Sequence, residues 1–409
     1  MPVNIILKQH DNNRHNVSRK GGIIIKRKEI QFMALGGGQR VGASCYFLRL
    51  GENNILLDCG IGFEKSYRVN PVLNALFTIP EMYSLSQLSE IYISHAHLDH
   101  SGYLPELIKS IKHGKIYMTA ATKIFLKNQY NDKNYLDIMH YNPRTLPRGI
   151  TDFEKYATTV NYMQQIPFKN YTAAFYEAGH IPGAMMVLFE YGGRKILYSG
   201  DYSLHETPLT GNCQIPDMDI DILILCGIHA KHPRHSAVSE PLKYQKYEML
   251  YYLNSGYNIY CYVPQLSKGV EMLTLLNTQL SEDINIYIDE KIYAVVGGLE
   301  NLNRQILQKN NYCLSAQTPP SGRHIILSTR RRRSVPAWYK YINGDFSLHD
   351  SFDETIDFIK KVNPKIAVIV HSPGFDSPAV ETVEQYLMFD AQCRTQFIFP
   401  EEQQLYILG

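Results

Sequence analysis

The sequence predicts a layered α/β protein that carries a second, smaller α/β unit. Apolar, β-prone runs separated by glycine-rich turns begin at residue 29, and from residue 104 onward strands alternate with helices. The polar stretch 227–240 then separates this pattern from a fresh cycle of strands and helices. A chain of 409 residues is long enough for about two domains.

The first elements form a β-meander. Residues 1–28 are polar and basic, with one apolar burst at 22–25 that would suit an additional hairpin. Residues 30–35, 44–50 and 54–57 are predicted strands, and the third leads directly into Asp58. Residues 71–88 are helical or irregular.

Strands and helices alternate through the middle of the chain. The predicted strands 91–93, 172–177 and 195–198 lead to polar residues, whereas the helices carry apolar residues at helical spacing or a capping box, here Thr151 with Glu154. The predicted strands are 91–93, 115–118, 172–177, 195–198 and 221–226, and the predicted helices are 104–112, 122–139 and 151–162.

The second unit follows the polar stretch. Its predicted helices are 241–253, 267–280 and about 299–308, and its predicted strands are 257–263, 285–288 and 324–328. Four arginines at 330–333 end the unit, and a last helix (352–361) and strand (365–370) precede the C-terminal tail.

Composition limits the class of protein. Forty-one basic against 39 acidic residues leave a net charge of +2, so no global field attracts a polyanion. Seven scattered cysteines without a C-x-x-C pair exclude a zinc finger and suit buried thiols in a reducing cytosol. No leader segment or long apolar run is evident. We therefore expect a cytoplasmic enzyme without membrane attachment.

The segment 94–100 contains the densest group of metal-binding side chains. His95 and His97 are two residues apart, so in an extended segment they project to the same side, and Asp99 and His100 follow at a turn, where they can reach a second ion. A lone surface histidine needs no explanation, but four such side chains together predict a metal site. Other metal-competent residues at predicted strand ends are Asp58, His180 and Asp201. Imidazoles and carboxylates suit zinc, and two ions about 3.5–4 Å apart suit phosphoryl hydrolysis.

Four motifs in this order, LLDCG, HAHLDH, AGHIPGA and SGDYS, resemble the metallo-β-lactamase fold. The chain resembles in particular the β-CASP nucleases, such as bacterial ribonuclease J and the mRNA 3′-end cleavage factor. The resemblance implies an αββα sandwich with an inserted α/β β-CASP domain. The implied divisions are an N-terminal extension (1–28), the first part of the sandwich (29–228), a compact insert (229–334) and the second part (335–409).

The resemblance also implies roles for individual residues. His95, His97 and His180 would bind one zinc ion, Asp99, His100 and His371 the second, and Asp201 would bridge them, with manganese as an alternative metal. Asp58 would orient the nucleophilic water, Asp99 would belong to the catalytic group, and His349 would be the general acid. Considered singly, His349 suits a surface position before a helix, and His371 suits a polar cap on a strand. The implied reaction is phosphodiester hydrolysis by a metal-bound hydroxide, on RNA more than on DNA.

The chain departs from the family at Cys226, at the arginines 330–333 and at Lys268. Cys226 stands where relatives have an acidic residue that steadies the general acid, and Asp350 or Glu354 would have to substitute. Arg330, Arg331, Arg332 and Arg333 replace a Ser-Gly-rich turn that contacts phosphate. These arginines, together with Lys268 in place of a family arginine, are the candidate substrate-binding residues.

Two other functions stay open at this point. The chain could be a scaffold or nucleic-acid-binding subunit with weakened catalysis, or it could hydrolyse a small ester or nucleotide. The expected partner is RNA, with single-stranded DNA as an alternative, and a homo-oligomer or a protein partner is also open. No membrane partner is expected.

Overall fold

The computed structural model describes residues 29–111, 115–231, 241–302 except 281–282, 305–314, 322–373, 382–388, 390 and 393–409. The hairpin predicted within 1–28 and most of the boundary stretch 227–240 lie outside these residues. No helix in the described parts is long and apolar enough to cross a bilayer.

The described chain is a mixed α/β protein. Its strands are β1 (Ile30–Gly36), β2 (Cys45–Leu50), β3 (Asn53–Leu57), β4 (Gly62–Glu64), β5 (Tyr67–Val69), β6 (Glu90–Tyr92), β7 (Lys115–Thr119), β8 (Ala157–Val160), β9 (Gln165–Pro167), β10 (Tyr171–Glu177), β11 (Met185–Tyr191), β12 (Arg194–Tyr198), β13 (Ile222–Cys226), β14 (Asn258–Tyr262), β15 (Asn285–Ile288), β16 (Asn311–Cys313), β17 (His324–Ser328), β18 (Tyr339–Asn343), β19 (Ile366–Val370), β20 (Gln396–Ile398) and β21 (Leu405–Ile407).

The helices lie between these strands. They are α1 (Leu98–Ser101), α2 (Leu104–Ile108), α3 (Ala120–Tyr130), α4 (Lys133–Met139), α5 (Arg148–Thr151), α6 (Phe153–Tyr156), α7 (Pro241–Asn254), α8 (Leu266–Gln279), α9 (Glu290–Glu300), α10 (Phe352–Val362) and α11 (Val383–Leu387). Two short 3₁₀ helices span Leu73–Thr78 and Leu85–Gln87.

Two seven-stranded sheets share a buried core. The first has the order β21-β1-β2-β3-β6-β7-β8 and the second β20-β19-β13-β12-β11-β10-β9. The ring of Tyr92 in the first sheet lies 6.2 Å from that of Phe175 and 5.1 Å from that of Phe189, both in the second sheet. One face of each sheet therefore packs against the other sheet.

A third sheet is formed by a separate part of the chain. Its order is β16-β15-β17-β14-β18, and all its pairings are parallel. These strands lie in sequence between β13 and β19, which are neighbours in the second seven-stranded sheet. The chain thus leaves the second sheet after Cys226, builds the parallel sheet, and returns to pair Ile366–Val370 beside the strand it left.

Three helix predictions need correction. The predicted helix 151–162 is wrong beyond residue 156, because residues 157–160 form β8 and pair in parallel with β7. The helix predicted near 299–308 is wrong for most of its length, because the actual helix runs from Glu290 to Glu300; the side chain of Asp289 accepts a hydrogen bond from Ile292 N and caps its start. The helix predicted at 122–139 is two helices, since Asp132 caps a new one.

Nine strands were not predicted, namely β4, β5, β8, β9, β11, β16, β18, β20 and β21. All seven cysteines are unpaired, as the spacing predicted, but Cys313 is exposed and Cys393 is only half-buried.

Candidate metal centre

Three candidate residues that follow strands have an uncommon backbone conformation. Asp58 follows β3, His371 follows β19, and His180 lies just after β10, with φ angles of 58°, 53° and 59°. Positive φ is uncommon for residues other than glycine, and it costs free energy that the surrounding structure must offset. The chain therefore turns sharply at three of the positions where polar side chains were predicted.

The segment 94–100, called here the histidine loop, is fixed against the residues that follow β3. The backbone N–H groups of Cys59 and Ile61 donate to the carbonyls of His100 and Leu98, at 2.8 and 2.9 Å. A Cβ atom on Gly60 would lie 1.8 Å from the carbonyl oxygen of Asp99, so only glycine fits between these segments.

The first group of donors comprises His95, His97, His180 and Asp201. Their ligand atoms all lie within 4.8 Å of one another. His97 Nδ1 is 3.1 Å from His180 Nε2, and Asp201 Oδ2 is 3.8 Å from His95 Nε2 and 3.7 Å from His180 Nε2.

The second group comprises Asp99, His100 and His371, again with ligand atoms within 4.8 Å of one another. His371 Nε2 lies 3.7 Å from Asp99 Oδ2. His100 Nε2 lies 3.3 Å from Asp201 Oδ1, the other oxygen of the carboxylate that faces the first group. One side chain, Asp201, therefore connects the two groups.

Each of the five imidazoles has one nitrogen held by an outer partner. The pairs are His95 Nδ1 with Ser94 Oγ (3.0 Å), His97 Nε2 with Ser267 Oγ (3.2 Å), His100 Nδ1 with Asp58 Oδ2 (2.7 Å), His180 Nδ1 with the Leu348 carbonyl (3.0 Å) and His371 Nδ1 with Ser44 Oγ (2.7 Å). Such partners orient the ring and select the nitrogen that remains available to a metal.

The inward atoms include several without a hydrogen-bond partner. Within the described chain, His95 Nε2, His371 Nε2 and Asp201 Oδ2 are buried and unpaired. Buried polar atoms are normally satisfied, so three unpaired donor atoms in one place suit a site that receives a ligand. Imidazole nitrogens and carboxylate oxygens are donors that zinc and manganese accept, and the residues therefore fit a pair of divalent cations.

The pKa values agree with a site built to bind cations. Burial lowers the pKa of His95 and of His97 well below the usual value, and it lowers that of His371 to about 4. These rings are neutral at pH 7, which is the form that binds metal. The pKa of His100 is raised despite burial, because Asp201 and Asp58 stabilise its charged form.

Asp58 follows β3, as predicted, and lies behind His100. Its side chain is fully buried and accepts hydrogen bonds from Ser94 N and Oγ, His100 Nδ1 and Tyr198 OH, at 2.5 to 2.7 Å. These contacts occupy its oxygens behind His100. The contact with Nδ1 orients the ring of His100. That Asp58 also orients the nucleophilic water stays a prediction.

His349 lies beside the first donor group. Its ring centroid is 4.8 Å from that of His180, and its Nδ1 is 3.7 Å from Asp201 Oδ2. Its side chain is 27% exposed and lines a cavity that it shares with His97 and His180, so a ligand in that cavity can reach it. Burial among the other imidazoles lowers the pKa of His349, and the free protein therefore carries a neutral ring at this position at pH 7.

The suggested substitutes for the missing carboxylate point elsewhere. Asp350 accepts hydrogen bonds from Leu204 N at 3.0 Å, and Glu354 caps α10 through Ser351 and contacts His205. The prediction that either residue steadies His349 is wrong, because the side chains of both are bound to other partners.

The candidate substrate-binding residues lie in two places. Lys268 lines a cavity of about 450 Å³ together with His97, His180 and His349, and its ammonium pairs with Asp345. Arg330 pairs with Glu290 at 2.9 Å. The guanidinium of Arg332 lies 5.1 Å from the ring centroid of Tyr260. Arg331 and Arg333 are exposed beside them.

Sequence reasoning did not find four side chains that contact the candidate ligands or Asp58, namely Ser44, Ser94, Tyr198 and Ser267. Ser44, Ser94 and Tyr198 belong to segments that were singled out for other residues. Ser267 belongs to α8, so its contact with His97 joins the segment that carries the third sheet to the histidine loop.

The fold and the site define an α/β protein with a candidate centre for two cations. Comparison with known proteins identifies its family. Residues 30–252 match the family model described as "Anti-Pycsar protein Apyc1", which covers more than half of the chain. The chain is 27% identical to the "Probable RNase MJ4" of Methanocaldococcus jannaschii, over 82% of this chain and 91% of that protein.

A second relative extends the comparison. The "Cleavage and polyadenylation specificity factor 73" of Drosophila melanogaster is 28% identical over 84% of this chain, and the chain spans 47% of that relative's length. The chain belongs to the family of the anti-Pycsar protein Apyc1 and, with these relatives, to the β-CASP metallo-β-lactamase nucleases.

A solved structure shows the same fold. It is a protein of unknown function from Enterococcus faecalis V583, with a TM-score of 0.63 and 12% sequence identity over 93% of this chain and 100% of that chain.

Proposed function

We propose that this protein is a zinc-dependent nuclease that hydrolyses phosphodiester bonds in RNA more readily than in DNA. The observation that carries the proposal is the convergence of two donor groups on Asp201, with inward nitrogens left unpaired by their outer partners. Bound as a pair, zinc ions would supply a hydroxide nucleophile and stabilise the charge on the leaving oxygen. Manganese is the alternative metal.

The proposal assigns the ligands as the sequence predicted. His95, His97 and His180 would hold one cation, and Asp99, His100 and His371 the other, with Asp201 shared between them. Asp99 is 34% exposed, so it also borders the space where a phosphate would lie. Asp58 acts through His100.

His349 is the proposed proton donor to the leaving oxygen. Its ring is partly exposed and lies beside the first donor group. Although the ring is neutral in the free protein, a phosphodiester anion bound nearby would favour its protonated form. The imidazolium could then donate its proton.

The proposed architecture is the αββα sandwich with an inserted β-CASP domain. The sandwich comprises residues 29–228 and 335–409, the insert comprises 229–334, and residues 1–28 form an extension. The pairing of β13 with β19 supports this division, because these adjacent strands bracket the third sheet in sequence.

The cleft supports a nucleic-acid substrate. A cavity of about 580 Å³ lies between the histidine loop and the segment carrying α8 and α9, and its lining includes Phe125, Ile181 and Leu266 as well as His97. A second cavity, beside Lys268, adjoins the same histidine. The two cavities thus place an apolar wall and a basic wall on the two sides of His97. An apolar wall suits bases and a basic wall suits phosphates.

The arginine segment extends this surface. Arg332 covers Tyr260, whose ring stacks on Tyr341 at 6.0 Å, and Arg331 and Arg333 are exposed nearby. Guanidinium groups beside aromatic rings can bind the phosphates and bases of a single strand. The names of the relatives, ribonuclease and cleavage factor, also favour RNA.

End-labelled RNA and DNA oligonucleotides of the same sequence test the proposal. Protein loaded with zinc or manganese should cleave the RNA faster than the DNA, and His97→Ala should abolish cleavage. The exposed His140→Ala serves as the matched control and should retain activity. Cleavage that survives His97→Ala would contradict the metal mechanism. If the metal-loaded wild-type protein binds RNA without cleaving it, the alternative of a scaffold or nucleic-acid-binding subunit would be favoured.

One observation supports a second candidate function. The family-model match ends at residue 252, before β14, and its description names no nuclease. The same donors could therefore hydrolyse a small ester or nucleotide. A chromogenic phosphodiester assayed in parallel discriminates the two, since this alternative predicts its turnover without cleavage of either oligonucleotide.

A further inference from the structure

Cys226 occupies the strand end between two of the proposed ligands. It is the last residue of β13, which pairs with β12 on one side and with β19 on the other. The chain reaches Asp201 after β12 and His371 after β19. The thiol therefore lies at the middle of three adjacent strand ends, and only 5% of the residue is exposed.

The sulfur atom is close to the donor atoms of the centre. Cys226 Sγ, a nitrogen of His100 and an oxygen of Asp201 all lie within 4.8 Å of one another. The hydroxyl of Tyr198 is 3.9 Å from the sulfur, a long contact that leaves the thiol weakly held.

An independent observation indicates that a ligand belongs here. Among the described residues, His371 Nε2 is buried without a hydrogen-bond partner after the strand beside Cys226, and Asp201 Oδ1, 3.3 Å from His100 Nε2, faces the same second donor group. A cation bound by these atoms would lie next to the sulfur. Thiolate is a strong zinc ligand, and a coordinating thiol loses its proton when the metal binds.

We propose that Cys226 is a sulfur ligand of the second cation, beside His100, His371 and Asp201. The inference rests on the proposed pair of cations. When the metal–sulfur bond forms, the S–H bond breaks and its proton passes to the buffer. Sulfur favours zinc over magnesium and manganese, so the residue that cannot steady His349 would instead set the metal preference of the site.

Cobalt substitution tests the inference without an activity assay. Metal-stripped full-length protein is titrated with cobalt(II), and its near-ultraviolet spectrum is recorded. The wild-type protein should bind two cobalt ions per chain and develop a sulfur-to-cobalt charge-transfer band. The band should be lost in Cys226→Ser and retained in Cys261→Ser, a matched control at another buried strand cysteine.

The outcomes separate this inference from the proposed function. Two bound cobalt ions without the band, or a band that persists in Cys226→Ser, would overturn the sulfur ligand and leave the metal centre in place. Failure to bind cobalt would overturn both. If Cys226→Ser does not fold, X-ray absorption of zinc-loaded wild-type protein decides, because one sulfur at about 2.3 Å for every two zinc ions is expected. A spectrum with nitrogen and oxygen neighbours alone would contradict the inference.

Discussion

At the residue scale, the outer partners of the imidazoles determine which atoms face the centre. Asp58, Ser44 and Ser94 contact no substrate cavity, yet they fix the rings of His100, His371 and His95. Partners of this kind hold the ring in one orientation before a metal binds. The side chains therefore lose their conformational entropy during folding rather than during metal binding.

Asp58→Asn tests this role directly. The amide removes the charge and offers one acceptor oxygen to four donors, so zinc affinity at the second position should fall about 10- to 100-fold. Competition with a chromophoric chelator measures the affinity, with the exposed Asp357→Asn as the control. Loss of turnover with unchanged zinc affinity would instead support the water-orienting role of Asp58.

Asp350 predicts a pH dependence of stability. Burial raises the pKa of Asp350 to about 7, whereas an unfolded chain has an aspartate pKa of about 3.9. The folded state therefore retains a proton that the unfolded state releases, and the free energy of unfolding should fall as pH rises through this window. Asp350→Asn cannot ionise, so its urea unfolding free energy should fall less than that of wild type between about pH 4 and pH 8. Parallel pH profiles would contradict the assignment, and Asp357→Asn should follow wild type.

Sequence predicted the candidate ligands better than their partners. His95, His97 and Asp99 share one short motif, and spacing alone indicates their chemistry. Ser267 lies 170 residues from His97, so its role depends on tertiary packing that no local pattern records.

At the element scale, the contact between α3 and α9 joins the two parts of the chain that enclose the larger cavity. A Cβ atom on Gly298 of α9 would lie 2.6 Å from Cγ2 of Ile124 in α3, whereas one on Gly297 would meet nothing within 4 Å. Adjacent glycines of one helix thus differ in their surroundings.

Alanine substitutions at these glycines form a matched pair. Gly297→Ala should raise the free energy of unfolding by about 0.5–1 kcal/mol through helix propensity alone. In Gly298→Ala the clash with the branched Ile124 should cancel that gain or reverse it. Urea unfolding measures both, and an equal increase in the two variants would contradict the close packing of α3 on α9.

Local patterns also explain which elements were predicted. Apolar runs such as residues 221–226 identify buried strands, and the actual strand is β13. The segment 157–160 was predicted as helix because Thr151 and Glu154 resemble a capping box. Its pairing with β7 is a long-range interaction that outweighs the local signal.

At the scale of the whole molecule, the proposed site depends on segments that are far apart in sequence. The ligands come from the histidine loop, from two later strand ends of the second sheet and from the segment after β10, while Ser267 contributes from the part of the chain that carries the third sheet. With a net charge of only +2, the attraction of a nucleic acid must come from local groups such as Lys268 and the four arginines.

The broad organisation was predictable because strand and helix periodicity repeats over many residues. The order of the strands within the sheets could be expected from the family resemblance but not from local sequence patterns. The residues 222–226 and 366–370 carry no local signal that predicts their pairing, because more than 130 residues of chain lie between them.

Counting bound metal tests the paired centre most directly. Zinc-loaded protein, desalted and analysed for metal and protein content, should contain two zinc ions per chain. His371→Ala should retain about one, because the first donor group is intact, and His140→Ala should retain both. A wild-type protein that holds one zinc ion or none, or a His371→Ala variant that still holds two, would contradict the account.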